Sequence, residues 1–259
     1  MSDDSELTFA WPDGKRAAVS VSFDDARLSQ ADRGLAVLDA CGVKGTFYVS
    51  IPGLEQRLEA WRAAVASGHE IGNHTLSHPC SGNFAFARGN ALENYTLERM
   101  EADLLDANEA IAELLGIAPV TFAYPCGQTY VGRGPSVRSY VPLVAGRFVA
   151  GRAAFNETHN DPAFCDLAQA FSRDGDARTF DELAGMVDAA VEAGGWLILM
   201  GHEIGPEPGL RQVTHDAALA ELCRYCLAPG RGVWVETVAA VGTYIRDHRQ
   251  GGPAGAPAS

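Results

Sequence analysis

Short apolar runs alternate with amphipathic stretches along most of this sequence, and this alternation is the strongest constraint on its fold. Each run has the length of a β-strand, and most are followed by apolar residues at helical spacing. Strands are predicted over residues 17–23, 46–49, 69–72, 120–124, 146–154, 196–200 and 233–235. Helices are predicted over residues 29–41, 54–66, 93–115, 180–193, 217–227 and 237–247. Repeated strand-then-helix units place parallel strands inside a layer of helices.

These units predict an α/β fold, a distorted (β/α) barrel with about seven parallel strands. The alternation alone also fits an open, doubly wound sheet. A length of 259 residues suits one such barrel, and no repeat or linker divides the chain. We therefore predict a single catalytic barrel over residues 1–248 and a flexible tail, rich in Gly and Pro, over residues 249–259.

Charge and composition exclude several classes of partner. The chain has 20 Lys and Arg against 33 Asp and Glu, which argues against binding to nucleic acid or to an anionic membrane surface. The longest apolar run, residues 196–200, is too short to span a bilayer. The first residues have no basic or apolar leader pattern, so we expect a cytoplasmic protein with mostly reduced thiols, while a removed leader stays open.

Polar side chains directly follow four of the predicted strands. Asp24 and Asp25 follow the first strand and His74 the third, FAYPCG (residues 122–127) closes the fourth, and His202 follows the sixth. The carboxyl ends of parallel strands share one edge, where α/β proteins place their active sites. We therefore expect these groups to form one site.

The HTLSH segment and the acidic pair together indicate a metal site. His74 and His78 are four residues apart, which would put both imidazoles on one face of a helical turn. Adjacent carboxylates at a strand end are unfavourable unless a cation neutralises them. One Asp with two His leaves coordination positions open, as a catalytic metal requires. Taken alone, Asp24 and Asp25 equally fit a helix cap or a solvated turn.

The other two segments suit acid–base and oxyanion chemistry. His202 ends an apolar strand and could act as a general acid near neutral pH, or simply begin a loop. The Pro-x-Gly turn at residues 125–127 could present free backbone N–H groups to an oxyanion, or be a plain turn. The CxxC pair Cys223 and Cys226 has no partner pair and is more typical of a buried helical stripe.

The motifs SFDDA (residues 22–26), HTLSH (74–78) and FAYPCG (122–127), followed by the strand before His202, resemble the NodB-homology polysaccharide deacetylases, carbohydrate esterase family 4. This resemblance implies a distorted (β/α) barrel and metal-dependent removal of N- or O-acetyl groups from a sugar or a small acetylated compound. The implied cofactor is a divalent metal, Zn²⁺ first, with Co²⁺, Ni²⁺ or Fe²⁺ as alternatives.

The resemblance also assigns roles by motif position. Asp24 would be the general base and His202 the general acid. The metal ligands would be Asp25, His74 and His78. The backbone N–H of Cys126 would stabilise the oxyanion, and the substrate-binding residues would be Tyr124 and Met200.

Several positions depart from the family pattern. Ala26 stands where Gly is usual, Ala123 where an Arg often pairs with the base, and Cys126 where an aromatic residue is usual. Gly201 interrupts the spacing before the last motif. Arg152, near the end of the fifth predicted strand, is our candidate for the missing Arg. The fourth motif of the family has no secure position in this sequence.

These departures keep other functions open. A metal-independent hydrolase of cyclic amides or ureides could have the same fold, and a pseudoenzyme or binding module could retain it without turnover. An iron(II) oxygenase built on one Asp and two His ranks lowest, since that chemistry usually occurs on another fold. The expected substrate is an acetylated carbohydrate or small molecule, and the sequence does not decide whether the chain forms a homo-oligomer.

Overall fold

Parallel strands and surrounding helices make up the protein, and the structure, a computed structural model, describes residues 9–249. The strands are β1 (Ala17–Asp24), β2 (Thr46–Val49), β3 (Glu70–Asn73), β4 (Thr121–Ala123), β5 (Tyr130–Val131), β6 (Arg138–Ser139), β7 (Ala150–Arg152), β8 (Arg173–Asp174), β9 (Trp196–Gly201), β10 (Glu203–Gly205), β11 (Val213–His215) and β12 (Val233–Val235). The α-helices are α1 (Leu35–Cys41), α2 (Ile51–Gln56), α3 (Leu58–Ala66), α4 (Leu97–Leu115), α5 (Val141–Ala145), α6 (Phe180–Ala193), α7 (Asp216–Leu227) and α8 (Val238–His248).

The main sheet is entirely parallel and curls into the predicted distorted barrel. Its order is β7-β4-β3-β2-β1-β9-β8, and β12 pairs with the first half of β1. Between the two outer strands, Ala170 forms a parallel bridge to Arg152, and its N–H donates to Gly151 O at 2.8 Å. The segment that enters β8 thus approaches both edges of the sheet. The α/β barrel prediction is confirmed, and all carboxyl ends of the main-sheet strands lie at one rim.

Several helices and strands differ from the predicted ones in their bounds or were not predicted. The helix predicted over residues 54–66 is split at Arg57, whose φ of −136° is not helical. The long helix begins only at Leu97, because the Thr96 side chain accepts a hydrogen bond from Arg99 N and caps it. Strand β8 was not predicted, since two residues carry no periodic signal. Residues 250–259 of the predicted tail lie outside the described residues.

The helices pack against the sheet over three apolar clusters, of which the largest lies beneath α1, α3, α6 and α7. Trp61 is fully buried there, and its ring contacts Phe47 edge-on with centroids 5.2 Å apart. Cys223 and Cys226 are buried on α7 in the same cluster, as the stripe interpretation predicted. None of the helices between residues 9 and 249 is long and apolar enough to cross a membrane.

We predict that Gly72→Ala destabilises the fold, because a Cβ there would lie 2.5 Å from ring atoms of Tyr48. The expected loss is about 1–3 kcal/mol of unfolding free energy, typical of overpacking. Gly185→Ala is the matched control, since nothing lies within 4 Å of its Cβ position on α6. It should gain up to about 1 kcal/mol from helix propensity. Denaturant titration measures both, and equal shifts would contradict this packing account.

Candidate active site

The first strand sends a carboxylate into the barrel because its side chains alternate between two faces. Val19, Val21 and Phe23 join the apolar cluster under the helices. Ser22 belongs to the other face, where its hydroxyl donates to Leu199 O at 2.8 Å. Asp24 continues this inner set and is buried at the rim.

Asp25 reaches the same rim because the backbone turns sharply after the strand. Asp25 and Ala26 both have left-handed φ values, 74° and 52°. The Ser50 hydroxyl donates to Asp25 O at 2.6 Å and holds this turn. A Cβ at Gly53 would lie 2.6 Å from Ala26 O, so a glycine is needed beneath it. Other non-glycine residues with positive φ at this rim are Thr75, His78 and Cys126. Such strain commonly gathers at functional sites.

The HTLSH segment is not the helical turn that its spacing predicted. Thr75 and His78 have φ values of 64° and 48°, and the segment has no helical hydrogen bonds. Instead, Asp103 of α4 accepts hydrogen bonds from the backbone N–H groups of Leu76 and Ser77, at 2.7 and 2.9 Å. The buried carboxylate shapes the loop, and the two imidazoles still converge, with ring centroids 4.8 Å apart.

Asp25, His74 and His78 form the only group of metal-ligand type found among residues 9–249, with donor atoms within 4.8 Å of one another. Asp25 Oδ1 lies 3.7 Å from His74 Nε2 and 3.4 Å from His78 Nε2. Ligands about 2.1 Å from a tetrahedral zinc ion are separated by about 3.4 Å. The spacing and the nitrogen and oxygen donors therefore fit a divalent metal of this kind.

The electrostatics of this group prepare it for a cation. Burial lowers the pKa of His74 to about 4, so its imidazole is neutral. His74 Nδ1 lies 2.9 Å from Ala123 O, and donation of its proton there leaves Nε2 free as a ligand. Burial alone would raise the pKa of Asp25, but the positive charges that the neighbouring imidazoles acquire when they are protonated in acid, together with that of Arg27, outweigh it and lower the pKa.

Arg27 holds the second oxygen of the Asp25 carboxylate. Its Nε and Nη2 donate to Oδ2 at 3.1 and 2.9 Å, while Oδ1 faces the imidazoles. A cleft of about 460 Å³ opens beside the Arg27–Asp25 ion pair and is lined by Arg27, Asp25 and His78. Its wall also includes Glu203, so the cleft carries charges of both signs. A substrate can reach the ligand group from this side.

Arg152, our candidate for the missing Arg, lies beside Asp24. Its guanidinium is fully buried and forms an ion pair with Asp24, whose side chain is 7% exposed. The remaining contacts of the guanidinium are with Ser172 Oγ at 3.2 Å, Ala153 O at 3.2 Å and the face of Tyr48. The ion pair joins β1 to β7 across the barrel mouth and orients the Asp24 carboxylate.

Asp176 is a site residue that the sequence interpretation missed. His202 Nδ1 lies 2.7 Å from Asp176 Oδ2, and Thr214 donates to the other oxygen at 2.7 Å. A Cβ at Gly201 would lie 2.9 Å from Asp176 Oδ1, which explains the glycine before His202. Asp176 follows the two-residue strand β8, which has no apolar run to mark it. Only the DGD pattern at residues 174–176 offered a signal.

Asp176 also sets the protonation of His202. Burial alone would lower the pKa of His202, but the hydrogen bond to Asp176 and the charges of nearby carboxylates outweigh it and raise the pKa above its usual value. The imidazolium form therefore persists to higher pH than in a free histidine. That state can donate a proton from Nε2.

Cys126 forms a disulfide with Cys80, which corrects our expectation of mostly reduced thiols at these two positions. The other cysteines, Cys41, Cys165, Cys223 and Cys226, are free. The bonded pair is 46 residues apart in sequence and lies in two loops, so no local spacing could reveal it. Among residues 9–249, no hydrogen-bond acceptor is paired with the backbone N–H of Cys126, and this donor stays available.

The two predicted substrate contacts are not supported by their positions. The Tyr124 side chain is 1% exposed, and its hydroxyl donates to Ala168 O at 2.7 Å. Met200 is also 1% exposed, within the interior of β9. Tyr124 directly follows β4 and Met200 lies within β9, and both side chains are packed in the protein interior.

The comparisons with known proteins agree with this geometry. The family model described as Polysaccharide deacetylase matches residues 12–133, which contain the Asp pair, HTLSH and FAYPCG. The predicted resemblance is confirmed over these residues. The chain also matches a Gellan lyase from Bacillus sp at 29% identity over 126 residues, 48% of this chain and 4% of that protein. An uncharacterized protein from Bacillus subtilis is 28% identical over 37% of this chain and 27% of its own length. The chain thus spans less than a third of these curated relatives.

Solved structures share the fold at low identity. A protein from Mycobacterium smegmatis assigned to the polysaccharide deacetylases has a TM-score of 0.69 at 20% identity, covering 96% of this chain and 97% of that chain. A family 4 acetyl xylan esterase from Clostridium thermocellum, in complex with a cobalt ion, has a TM-score of 0.55 at 22% identity, covering 88% and 91%. A CE4 family pseudoenzyme from Bacillus anthracis has a TM-score of 0.54 at 18% identity, covering 90% and 66%. The fold therefore occurs with and without activity.

We predict that Asp176→Asn lowers the pKa of His202, since the carboxylate that stabilises the imidazolium is lost. NMR titration of the imidazole measures this shift, with Asp188→Asn on the surface as the control. Because the folded pKa of His202 is raised, its contribution to stability is complete below the unfolded value and is lost as the pH rises through the folded pKa. An unchanged pKa in Asp176→Asn would contradict the pairing.

Arg152→Met should destabilise the protein strongly, because it leaves the buried Asp24 carboxylate without a partner. The expected cost is about 3–5 kcal/mol of unfolding free energy. Arg147→Met provides the control, since its ion pair with Glu101 is partly exposed and should contribute about 0–1 kcal/mol. Denaturant unfolding at one pH compares the variants, and equal losses would show that the buried pair has no special role.

Proposed function

We propose that the protein, whose residues 12–133 match the family model described as Polysaccharide deacetylase, is a metal-dependent hydrolase that removes acetyl groups from a carbohydrate or a small acetylated compound. One observation carries the proposal. The donor atoms of three residues converge at the rim, those of Asp25, His74 and His78. The same rim holds two further charged pairs, Asp24–Arg152 and His202–Asp176. These are the parts that acetyl hydrolysis requires.

In the proposed mechanism, a divalent ion held by Asp25, His74 and His78, with Zn²⁺ as the expected ion, would polarise the acetyl carbonyl and lower the pKa of water. Asp24 accepts the proton of the attacking water, and Arg152 keeps this carboxylate in place. The N–H of Cys126 donates to the oxyanion that forms at the acetyl carbonyl oxygen when water attacks the carbon. His202, protonated beside Asp176, then delivers a proton to the leaving amine or alkoxide.

The loop after HTLSH supports a carbohydrate substrate. Phe84 and Phe86 are exposed, and their ring centroids lie 5.5 Å apart in a tilted arrangement. Exposed aromatic faces suit stacking on sugar rings. Acetylated chito-oligosaccharides carry amides and acetylated xylo-oligosaccharides carry esters, so acetate release from each distinguishes the two kinds of bond.

The pseudoenzyme alternative rested on departures from the motifs. The main one, Ala123 in place of an Arg, is offset by Arg152, whose guanidinium reaches Asp24 from β7. This contact favours a working base and so favours the enzyme. Turnover of a generic acetyl ester would exclude the pseudoenzyme, and its absence with every acetylated substrate would support it.

We predict that removal of metal abolishes acetate release from acetylated chito- or xylo-oligosaccharides. Elemental analysis should find about one ion per chain, because the three residues offer one ligand atom each and these atoms lie within 4.8 Å of one another. Asp25→Ala should bind no ion and lose activity by at least about 100-fold, while Asp188→Ala on the surface retains both. Restored Zn²⁺ should restore the rate. Full acetate release by metal-stripped protein would contradict the proposed mechanism, and a protein purified without metal would favour the metal-independent cyclic amide hydrolase.

A further inference from the structure

The loops that carry His78 and Cys126 are joined covalently next to the site. Cys80 lies two residues after His78 and is fully buried, and its disulfide with Cys126 joins Cα atoms 6.1 Å apart. Ser81 N donates to Gln128 Oε1 at 2.7 Å and adds a second link between the same loops. One loop supplies a candidate metal ligand, and the other supplies the free N–H.

The disulfide also contacts the ligand itself. His78 Nδ1 lies 3.7 Å from Cys80 Sγ, its only hydrogen-bond partner among residues 9–249. His74 Nδ1, by contrast, faces the carbonyl oxygen of Ala123. The group that accepts a hydrogen bond from Nδ1 fixes the orientation of a ligating imidazole. For His78, that group is the disulfide sulfur of Cys80.

Cys126 itself has an unfavourable backbone conformation. Its φ of 53° is left-handed, although it has a Cβ. The disulfide, with Pro125 before it and Gly127 after it, holds that conformation against relaxation. Relaxation would turn the free N–H away from the rim, since φ and ψ set its direction.

We infer that the Cys80–Cys126 disulfide is a positioning element of this site, which fixes the His78 imidazole and the Cys126 N–H relative to each other. Only one part of the inference, the role of the Cys126 N–H in the reaction, rests on the proposed deacetylase function. Reduction by a trialkylphosphine would release it. The phosphine loses two electrons and takes oxygen from water as its oxide, the S–S bond breaks, and two protons form the thiols of Cys80 and Cys126.

The test compares the double variant Cys80→Ala/Cys126→Ala with the oxidised parent protein. Alanine leaves the backbone N–H in place and adds no thiol that could bind metal. Metal affinity from competition with a coloured chelator should fall by about 10-fold, within the range for lost support of a ligand. The kcat for acetate release should fall by about 10-fold, below the effect of losing an oxyanion donor outright, while KM changes by less than about two-fold.

Cys165→Ser is the matched control, since Cys165 is a free, half-buried thiol that contacts Arg249. It should keep metal affinity and kcat, and it should respond to the phosphine as the parent does. Thiol counting should find four free cysteines before reduction and six after it. Reoxidation should restore both readouts.

A purely structural disulfide would lower the melting temperature but leave metal affinity and kcat within about two-fold, and this result would overturn the inference. Six free thiols in the air-oxidised protein would overturn it as well. If the double variant does not fold, the phosphine-reduced parent gives the same two readouts. If the metal-loaded, oxidised parent releases no acetate from any substrate, the proposed function fails, while chelator competition still tests the positioning of His78.

Discussion

Burial of negative charge at one rim of the barrel is the constraint on which the rest of this structure depends. Asp24, Asp25 and Asp176 all lie in a region largely shielded from water. Carboxylates in such a place must be neutralised or hydrogen-bonded, or they take up protons. Each has its own partner here, an Arg for Asp24, an Arg and two imidazoles for Asp25, and an imidazole with a hydroxyl for Asp176. The site is therefore a set of paired charges, and one group within it, formed by Asp25, His74 and His78, has the donor atoms to bind a cation.

The parallel strands bring these pairs together, and the loops then orient them. The strand ends fix which residues reach the rim, but left-handed residues at Asp25, Thr75, His78 and Cys126 decide where their atoms point. The buried Asp103 carboxylate, the Ser50 hydroxyl and the disulfide hold these loops from behind. These contacts, which take no part in the proposed reaction, hold the loops in their strained backbone conformations.

Much of the fold and of the ligand set could be predicted from local pattern. Strands β2 and β12 and helix α6 were predicted at their observed bounds, because β-branched runs and the Thr179 capping box are local signals. The candidate ligands Asp25, His74 and His78 could be named since they follow strong strand patterns. Asp176 could not, because β8 has only two residues and its position depends on pairing with β9. The helical turn expected for HTLSH was wrong, because Asp103, distant in sequence, captures its N–H groups.

The sequence by itself determined the order of the long strands and helices, the direction of those strands and the rim at which the polar residues gather, since these follow from periodicity and chain connectivity. Only the tertiary structure decided that Asp176 pairs with His202, that Cys80 bonds to Cys126, and that Tyr124 and Met200 are buried, and only it showed that Arg152, a candidate from the sequence, pairs with Asp24. Each of these contacts joins residues at least 26 positions apart or depends on which face a strand presents to the core. Such partners are set by how the barrel curls, and no local pattern records that.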